Sequence, residues 1–308
     1  MNVEIHNVLG EESLASAARS LIKRLCESHH GQYGLSTTSC QVYDTAWVAM
    51  VGKTTGSTKK WLFPESFHYL LKTQSDDGSW GTHPATKTAG ILDTAAALLA
   101  LLKHLKEPLQ IHDVPSNDIR RRIGRASNSL RAQLATWDDV SETNHIGVEI
   151  IVPSLLAYLE KEDARLAFDF PCKKVLKRMN EEKLSRFRPE SLYGNKPSSA
   201  IHSLEAFLGK IDFDRVSHHL FNGSMLASPS STAAYLIEAS HWDDEAEKYL
   251  RHIGEAGSGH GDGGIPGTFP TTHFEISWVV TLSYFVIQGR ADRKVDDCHS
   301  SPERLCEI

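Results

Sequence analysis

The run Ile91 to His104, I-L-D-T-A-A-A-L-L-A-L-L-K-H, is apolar on nearly every side. A helix of that kind keeps no face for water and belongs in an interior. Its alanines let neighbours approach closely. The rest of the chain offers such neighbours. Leu14, Ala17, Leu21 and Leu25 advance by three or four and mark a first amphipathic helix. Ile119, Ile123, Ala126, Leu130 and Leu134 form another stripe behind Pro115, with Ser116 or Asn117 as its N-cap. Val148, Val152, Leu155, Leu156 and Leu159 form a further one. Helices are also expected over Ala200–Leu208, Ser230–Ser240, Asp244–Ile253 and Thr272–Ile287. No segment alternates long enough to predict a hairpin. The expected fold class is all-α.

Gly/Pro/Asp/Ser clusters separate these helices at regular intervals. Gln74–Gly81 and Phe221–Thr232 are similar glycine-bearing turns, each ahead of an apolar helix. Such weak repetition fits an α/α barrel, in which helix pairs share turn chemistry. Gly254–Gly267 holds seven glycines in fourteen residues, but it lacks G-x-x-x-x-G-K-[ST] and follows no strand. It reads as a connecting loop and not as a phosphate cradle.

With 308 residues the chain has room for one large or two ordinary domains. A formal net charge of -6 argues against a nucleic-acid binder. Five scattered cysteines (Cys26, Cys40, Cys172, Cys298, Cys306), an odd number with no C-x-x-C pair, fit a reduced intracellular chain. The acidic start M-N-V-E-I-H-N-V-L-G-E-E resembles neither a signal peptide nor a transit sequence, so a cytoplasmic location is expected. The uncharged run Ile276–Gln288 is shorter than the about 20 residues that span a bilayer, and no membrane span is expected.

Seven ordered segments carry more specific information. They are Y-D-T-A-W-V-A (Tyr43–Ala49), F-P-E (Phe63–Glu65), Q-S-D-D-G-S-W-G (Gln74–Gly81), I-G-V-E-I-I-V-P-S-L (Ile146–Leu155), H-S-L-E (His202–Glu205), S-P-S-S-T-A-A (Ser228–Ala234) and G-G-I-P (Gly263–Pro266). In this order and spacing, over roughly Leu35–Gly289, they resemble class II diterpene cyclases, and above all the fungal bifunctional copalyl diphosphate and kaurene synthases. The resemblance implies an α/α barrel γ domain with an incomplete β-domain remnant. Residues 1–51 would hold the first helix and lead-in of the β domain, 60–264 the γ domain, and 265–308 the start of the β-domain return and a divergent tail.

The same resemblance implies a terpene cyclase-like protein of diterpenoid biosynthesis. Its substrate would be geranylgeranyl diphosphate, cyclised by protonation to a copalyl-type diphosphate. Mg²⁺ and the prenyl diphosphate would meet an acidic cluster at Asp138, Asp139 and Glu142, and Lys183 would reach the diphosphate. Hard carboxylate oxygens suit Mg²⁺, and an ammonium suits phosphate. Two bland readings stand beside these: an exposed acidic loop, and a solvated basic turn. Within Q-x-x-x-G-x-W, Gln as a helix cap, Gly as a turn and Trp as a filler give a structural reading that outweighs substrate contact. Asp44 and Trp47 likewise read as a satisfied turn and core pair.

An alkene is a very weak base, so this chemistry needs a strong acid in a dry cavity. The family uses D-x-D-D, and no such string occurs in these 308 residues; Lys294-Val295-Asp296-Asp297 is only a near miss. D-D-x-x-D in a class I site is absent as well. No catalytic residue is therefore assigned, and residues 1–308 alone are expected to be inactive. The resemblance places the remaining β helices beyond Ile308, so exposed β-domain helices would favour self-association. The alternative is a non-catalytic γ-domain protein that binds a prenyl diphosphate or a protein partner.

Overall fold

The computed structural model describes residues 11–81, 86–140, 143, 145–196, 198–257, 259 and 261–287, apart from the side chains of 11–15 and 282–287. The string Lys294–Asp297, Cys298 and Cys306 lie outside them. The described residues are mostly helical, as the apolar periodicities predict. They divide into a larger compact unit, Ser36–Phe269, and a smaller one made of the chain before Ser36 and after Phe269.

In the larger unit, helix α2 (Val42–Ala49) leads into a two-stranded hairpin, β1 (Gly52–Thr55) and β2 (Thr58–Trp61). Helices α3 (Pro64–Thr73), α4 (Lys87–Lys106), α5 (Ser116–Ala135), α6 (Val148–Glu162) and α7 (Lys173–Arg186) follow. A 3-10 segment (Ser199–Phe207), a short hairpin of β3 (Leu220–Phe221) and β4 (Ser224–Met225), and helices α8 (Pro229–Glu238) and α9 (Asp244–Ala256) complete it.

Fourteen of the twenty residues of α4 are buried, which makes it the helix around which α2, α5 and α6 pack. Burying each of its leucines stabilises by about 1.5–3 kcal/mol. Thr86 opens α4 by accepting from the Ala89 amide. Among the described residues α4 is the one helix long and apolar enough to cross a membrane, and 78% of that stretch is buried in the protein. His104, near its end, stacks between Trp61 and Phe67 at ring distances of 4.2 and 3.8 Å. Its Nε2 lies 2.9 Å from the Ala49 carbonyl, and burial pushes its pKa down to about 4.

Two glycine turns explain the internal repetition. Gly78 and Gly223 both have positive φ, 88° and 76°. A Cβ on Gly78 would lie 2.4 Å from the Arg125 backbone of α5, and one on Gly223 would lie 2.2 Å from the Glu245 carbonyl of α9. Each turn thus presses its backbone onto a neighbouring helix where no side chain fits. Around Gly78, Gln74 Nε2 donates to the carbonyls of Gly78 and Arg122, and Trp80 Nε1 donates to Leu70 O at 2.9 Å. The Q-x-x-x-G-x-W string ties α3 to α5, in line with its structural reading.

Several details differ from expectation. Helix α5 is capped by Pro115, not by Ser116 or Asn117: the fixed extended backbone of Pro115 aims its carbonyl at the amides of Asp118 and Ile119. Residues 199–207 form 3-10 turns with a break at Ser203, because the Leu204 amide donates to Ser231 Oγ at 2.9 Å instead of continuing a helical ladder. Two hairpins exist, turned by Gly56-Ser57 and by Asn222-Gly223, with positive φ at Gly56, Asn222 and Gly223. Helix α2 packs on α3, α4 and α8, since seven of its eight residues are buried. The compact division falls at Leu35/Ser36 and Phe269/Pro270.

In the smaller unit α1 (Glu11–Ser28) packs against α10 (Thr272–Ile287). The Leu35 amide donates to Thr272 Oγ1 at 2.9 Å and pins the entry to α10. Phe274, Ile276, Trp278 and Val280 on α10 are exposed.

Candidate functional site

Three buried carboxyl groups converge on one cavity of about 490 Å³ in the larger unit. Asp44 comes from α2, Asp93 from α4 and Glu205 from the 3-10 segment. Leu92, Ile146 and Ile151 give the cavity apolar surface, and His145 and His202 add imidazoles. Its size is that of a small-molecule pocket, about 300–1,000 Å³.

Neutral partners hold each carboxyl group. Tyr43 Oη donates to Glu205 Oε1 at 2.9 Å, and Ser231 Oγ donates to Oε2 at 2.8 Å. The Tyr43 amide donates to Asp93 Oδ1 at 3.0 Å. The Ser230 amide, in the first turn of α8, donates to Asp44 Oδ1 at 3.1 Å. That turn is set by Ser228, whose side chain accepts from the Ser231 amide.

Burial raises the pKa of all three. Asp93 is pushed up to about 7, and Glu205 to about 6. Asp44 rises well above the usual carboxylate range, by burial and then by the charge of Glu205. The Tyr43 phenol is raised well above its ordinary value by burial and by Glu205.

The residues singled out by sequence for metal and diphosphate sit in different surroundings. Asp138 is exposed and pairs with Lys87 at 2.9 Å, which lowers its pKa. Asp139 is exposed beside it, and Glu142 lies outside the described residues. Among the described residues no group of three His, Cys, Asp or Glu side chains is placed to hold a metal ion. The described carboxylates thus do not by themselves form a Mg²⁺ site, and such an ion would have to draw its oxygens mainly from water and phosphate.

Lys183 sits on α7, not on a turn, and its Nζ lies 3.0 Å from Glu149 Oε1. The reason for this pairing begins with Pro153 inside α6. Proline has no amide hydrogen to give to the carbonyl four residues back, which is Glu149 O. Asn180 Nδ2 of α7 donates to that carbonyl at 2.7 Å. One turn later on α7, Lys183 meets the side chain of the same glutamate. Both ends of Glu149 are therefore fastened to α7.

The carboxyl trio was missed by the sequence reading. Asp44 and Glu205 fall within the motifs Y-D-T-A-W-V-A and H-S-L-E, and Asp93 is the single acid within the apolar run Ile91–His104, but nothing in the sequence brings the three together.

No family model matches the chain. Curated relatives do. It is 65% identical over 265 residues to an ent-kaur-16-ene synthase of Fusarium fujikuroi, covering 86% of this chain and 28% of that protein. This chain is homologous to a stretch of the fungal diterpene cyclases. A second such relative is the ent-kaur-16-ene synthase of Phaeosphaeria sp. (strain L487), 57% identical over 298 residues, 96% of this chain and 31% of that protein. The diterpene cyclase homologue thus spans under a third of the length of these relatives. Its fold matches the crystal structure of ent-copalyl diphosphate synthase from Arabidopsis thaliana, in complex with (S)-15-aza-14,15-dihydrogeranylgeranyl thiolodiphosphate. The TM-score is 0.70 at 24% identity, over 91% of this chain and 38% of that one.

Proposed function

We propose that this chain supplies one wall of the substrate cavity of a class II diterpene cyclase. In this reading the whole protein cyclises geranylgeranyl diphosphate, by protonation, to a copalyl-type diphosphate. Ser36–Phe269 is the γ domain, α1 and α10 are β-domain helices, and the protein is cytoplasmic. The observation that carries it is the mixed apolar and polar cavity, in a chain 65% identical to an ent-kaur-16-ene synthase. Leu92, Ile146 and Ile151 suit a prenyl chain. In this reading Lys183, which lies outside the cavity lining, exchanges Glu149 for the diphosphate, and Asp138, Asp139 and Glu142 serve Mg²⁺.

Residues 1–308 carry no D-x-D-D, and the buried acids of the cavity are too weak to protonate an alkene. The chain alone is therefore inactive. Incubation with geranylgeranyl diphosphate and Mg²⁺ tests this, and copalyl diphosphate above a no-enzyme control would overturn it. Binding is tested separately, by calorimetry with a non-hydrolysable prenyl diphosphate. Mg²⁺-dependent heat that Lys183→Ala abolishes supports the reading. Equal heats for the two proteins would leave Lys183 as a tie between helices, and no heat in either would count against the cavity as a prenyl site.

The exposed apolar residues Phe274, Ile276, Trp278 and Val280 of α10 favour a second reading, a protein-binding role that includes self-association. Size-exclusion chromatography of the full chain decides it. A monodisperse monomer would remove this reading.

A further inference from the structure

We infer that the cavity takes an organic cation, a protonated amine on an apolar skeleton, with Asp44, Asp93 and Glu205 as its counter-charges. The inference concerns the charge that the cavity selects. It rests on the reading of this cavity as a prenyl site for the apolar skeleton alone.

The three carboxyl groups come from separate elements, line one cavity, and are 6%, 4% and 2% exposed. The hydrogen bonds that reach them are donated to the carboxyl oxygens. Tyr43 Oη and Ser231 Oγ donate to Glu205, the Tyr43 amide to Asp93, and the Ser230 amide to Asp44. Donors aimed at a carboxyl oxygen favour the ionised form. These donors are neutral, so they leave the negative charge itself unbalanced.

The lining does not supply the missing positive charge. Among the described residues no lysine or arginine lines the cavity. Its bases are the imidazoles of His145 and His202, and burial lowers the pKa of His145. Buried carboxylates without a counter-charge are costly. The raised pKa values of the three acids express that cost, and a cation in the cavity would relieve it.

Two carboxyl oxygens stand open to such a partner. Asp93 takes a hydrogen bond at Oδ1, and among the described residues no donor meets its Oδ2. An unpaired oxygen on so deeply buried a side chain calls for an ion or a water. Asp44 Oδ2 lies 3.6 Å from where a Cβ on Gly267 would stand, and Gly267 lines the same cavity. An ammonium group carries donors enough for both oxygens. A bare metal ion fits less well, because no group of three His, Cys, Asp or Glu side chains is placed to hold one among the described residues. Leu92, Ile146 and Ile151 add apolar surface that a small inorganic ion would leave uncovered and a hydrocarbon skeleton would cover.

Calorimetry of the full chain at about pH 8 tests this, with geranylamine as the cation and geraniol as its neutral counterpart of similar shape. At that pH Asp93 and Glu205 lie above their raised values, and the alkyl ammonium is charged. Geranylamine is expected to bind on the order of tenfold tighter than geraniol. Asp93→Asn keeps the oxygen that accepts from the Tyr43 amide but carries no charge. It is expected to lose on the order of tenfold in affinity for the amine and to leave that for geraniol level. Equal affinities of amine and alcohol would overturn the cation and leave the prenyl reading standing. Binding of n-octylamine as tight as that of geranylamine would support the cation and count against the prenyl reading. Amine binding that Asp93→Asn does not weaken would place the cation elsewhere and overturn the inference, as would no binding of either amine. If Asp93→Asn does not fold, hydrogen–deuterium exchange of the wild type decides. Geranylamine is expected to slow exchange in Val42–Ala49 and Ser199–Phe207 and not in Lys173–Arg186, and unchanged exchange in the first two segments would overturn the site.

Discussion

The protein holds two sets of acids in opposite surroundings. Asp138 lies in water beside Lys87, with its pKa lowered by that partner. Asp44, Asp93 and Glu205 lie in the interior among neutral donors, with pKa values raised by burial. The same functional group thus has its pKa lowered by an ion pair at the surface and raised by burial in the interior. Clustered acids in a sequence announce charge, whereas dispersed acids that meet in a core announce hydrogen bonding.

The sharpest break in this comparison comes from truncation. Glu205→Ala leaves the Tyr43 and Ser231 hydroxyls without their acceptor and is expected to lower stability by about 3 kcal/mol. Asp138→Ala is expected to leave the urea midpoint unchanged, because an exposed pair contributes little. Equal midpoint shifts for the two variants would erase the distinction.

Next comes the sign of the pH response. Asp93 and Glu205 stabilise most below the unfolded carboxylate range, and their contribution is lost as pH rises through about 6 to 7. Asp138 has the opposite sign: its contribution is present above its unfolded value and is lost as pH falls through the lowered folded one. Urea midpoints across pH, at low and high salt, separate the two. Salt is expected to erase the exposed contribution and to leave the buried one. A midpoint that rises steadily from pH 5.5 to 8 would contradict the buried set.

The α6–α7 tie offers a third, smaller contrast. Asn180→Ala removes the donor to the Glu149 carbonyl and is expected to cost about 1 kcal/mol. Lys183→Ala removes a half-exposed ion pair and is expected to cost under about 1 kcal/mol, and less than Asn180→Ala. The reverse order would mean that the ion pair, not the amide, is what joins these helices.

Much of the helical frame was legible because apolar spacing is a local signal. Helix α10 falls on the expected Thr272–Ile287, and α4 surrounds the run Ile91–His104. The turn glycines were legible as a repeat, although their contacts with Arg125 and Glu245 depend on helices far along the chain. The carboxyl trio was not legible. Asp44, Asp93 and Glu205 are separated by 49 and 112 residues, and only the folded chain brings them together. Nor does the sequence around Lys183 name its partner Glu149, 34 residues earlier on another helix. The strand pairs were missed because each is very short, and Gly56-Ser57 and Asn222-Gly223 are their main local mark.

Pro153 carries a consequence for cooperativity. A helix that satisfies all its own carbonyls can form and melt alone, but α6 leaves the Glu149 carbonyl to a neighbour 31 residues further on. The first turn of α6 is therefore more stable when α7 is docked, and the two are expected to open together in local unfolding. The cavity residue Ile146 precedes that turn and Ile151 lies within it. Motion of α7, which lines no part of the cavity, would thus reach the cavity wall through its ties to Glu149, and a change far from the pocket would alter how often the pocket is intact.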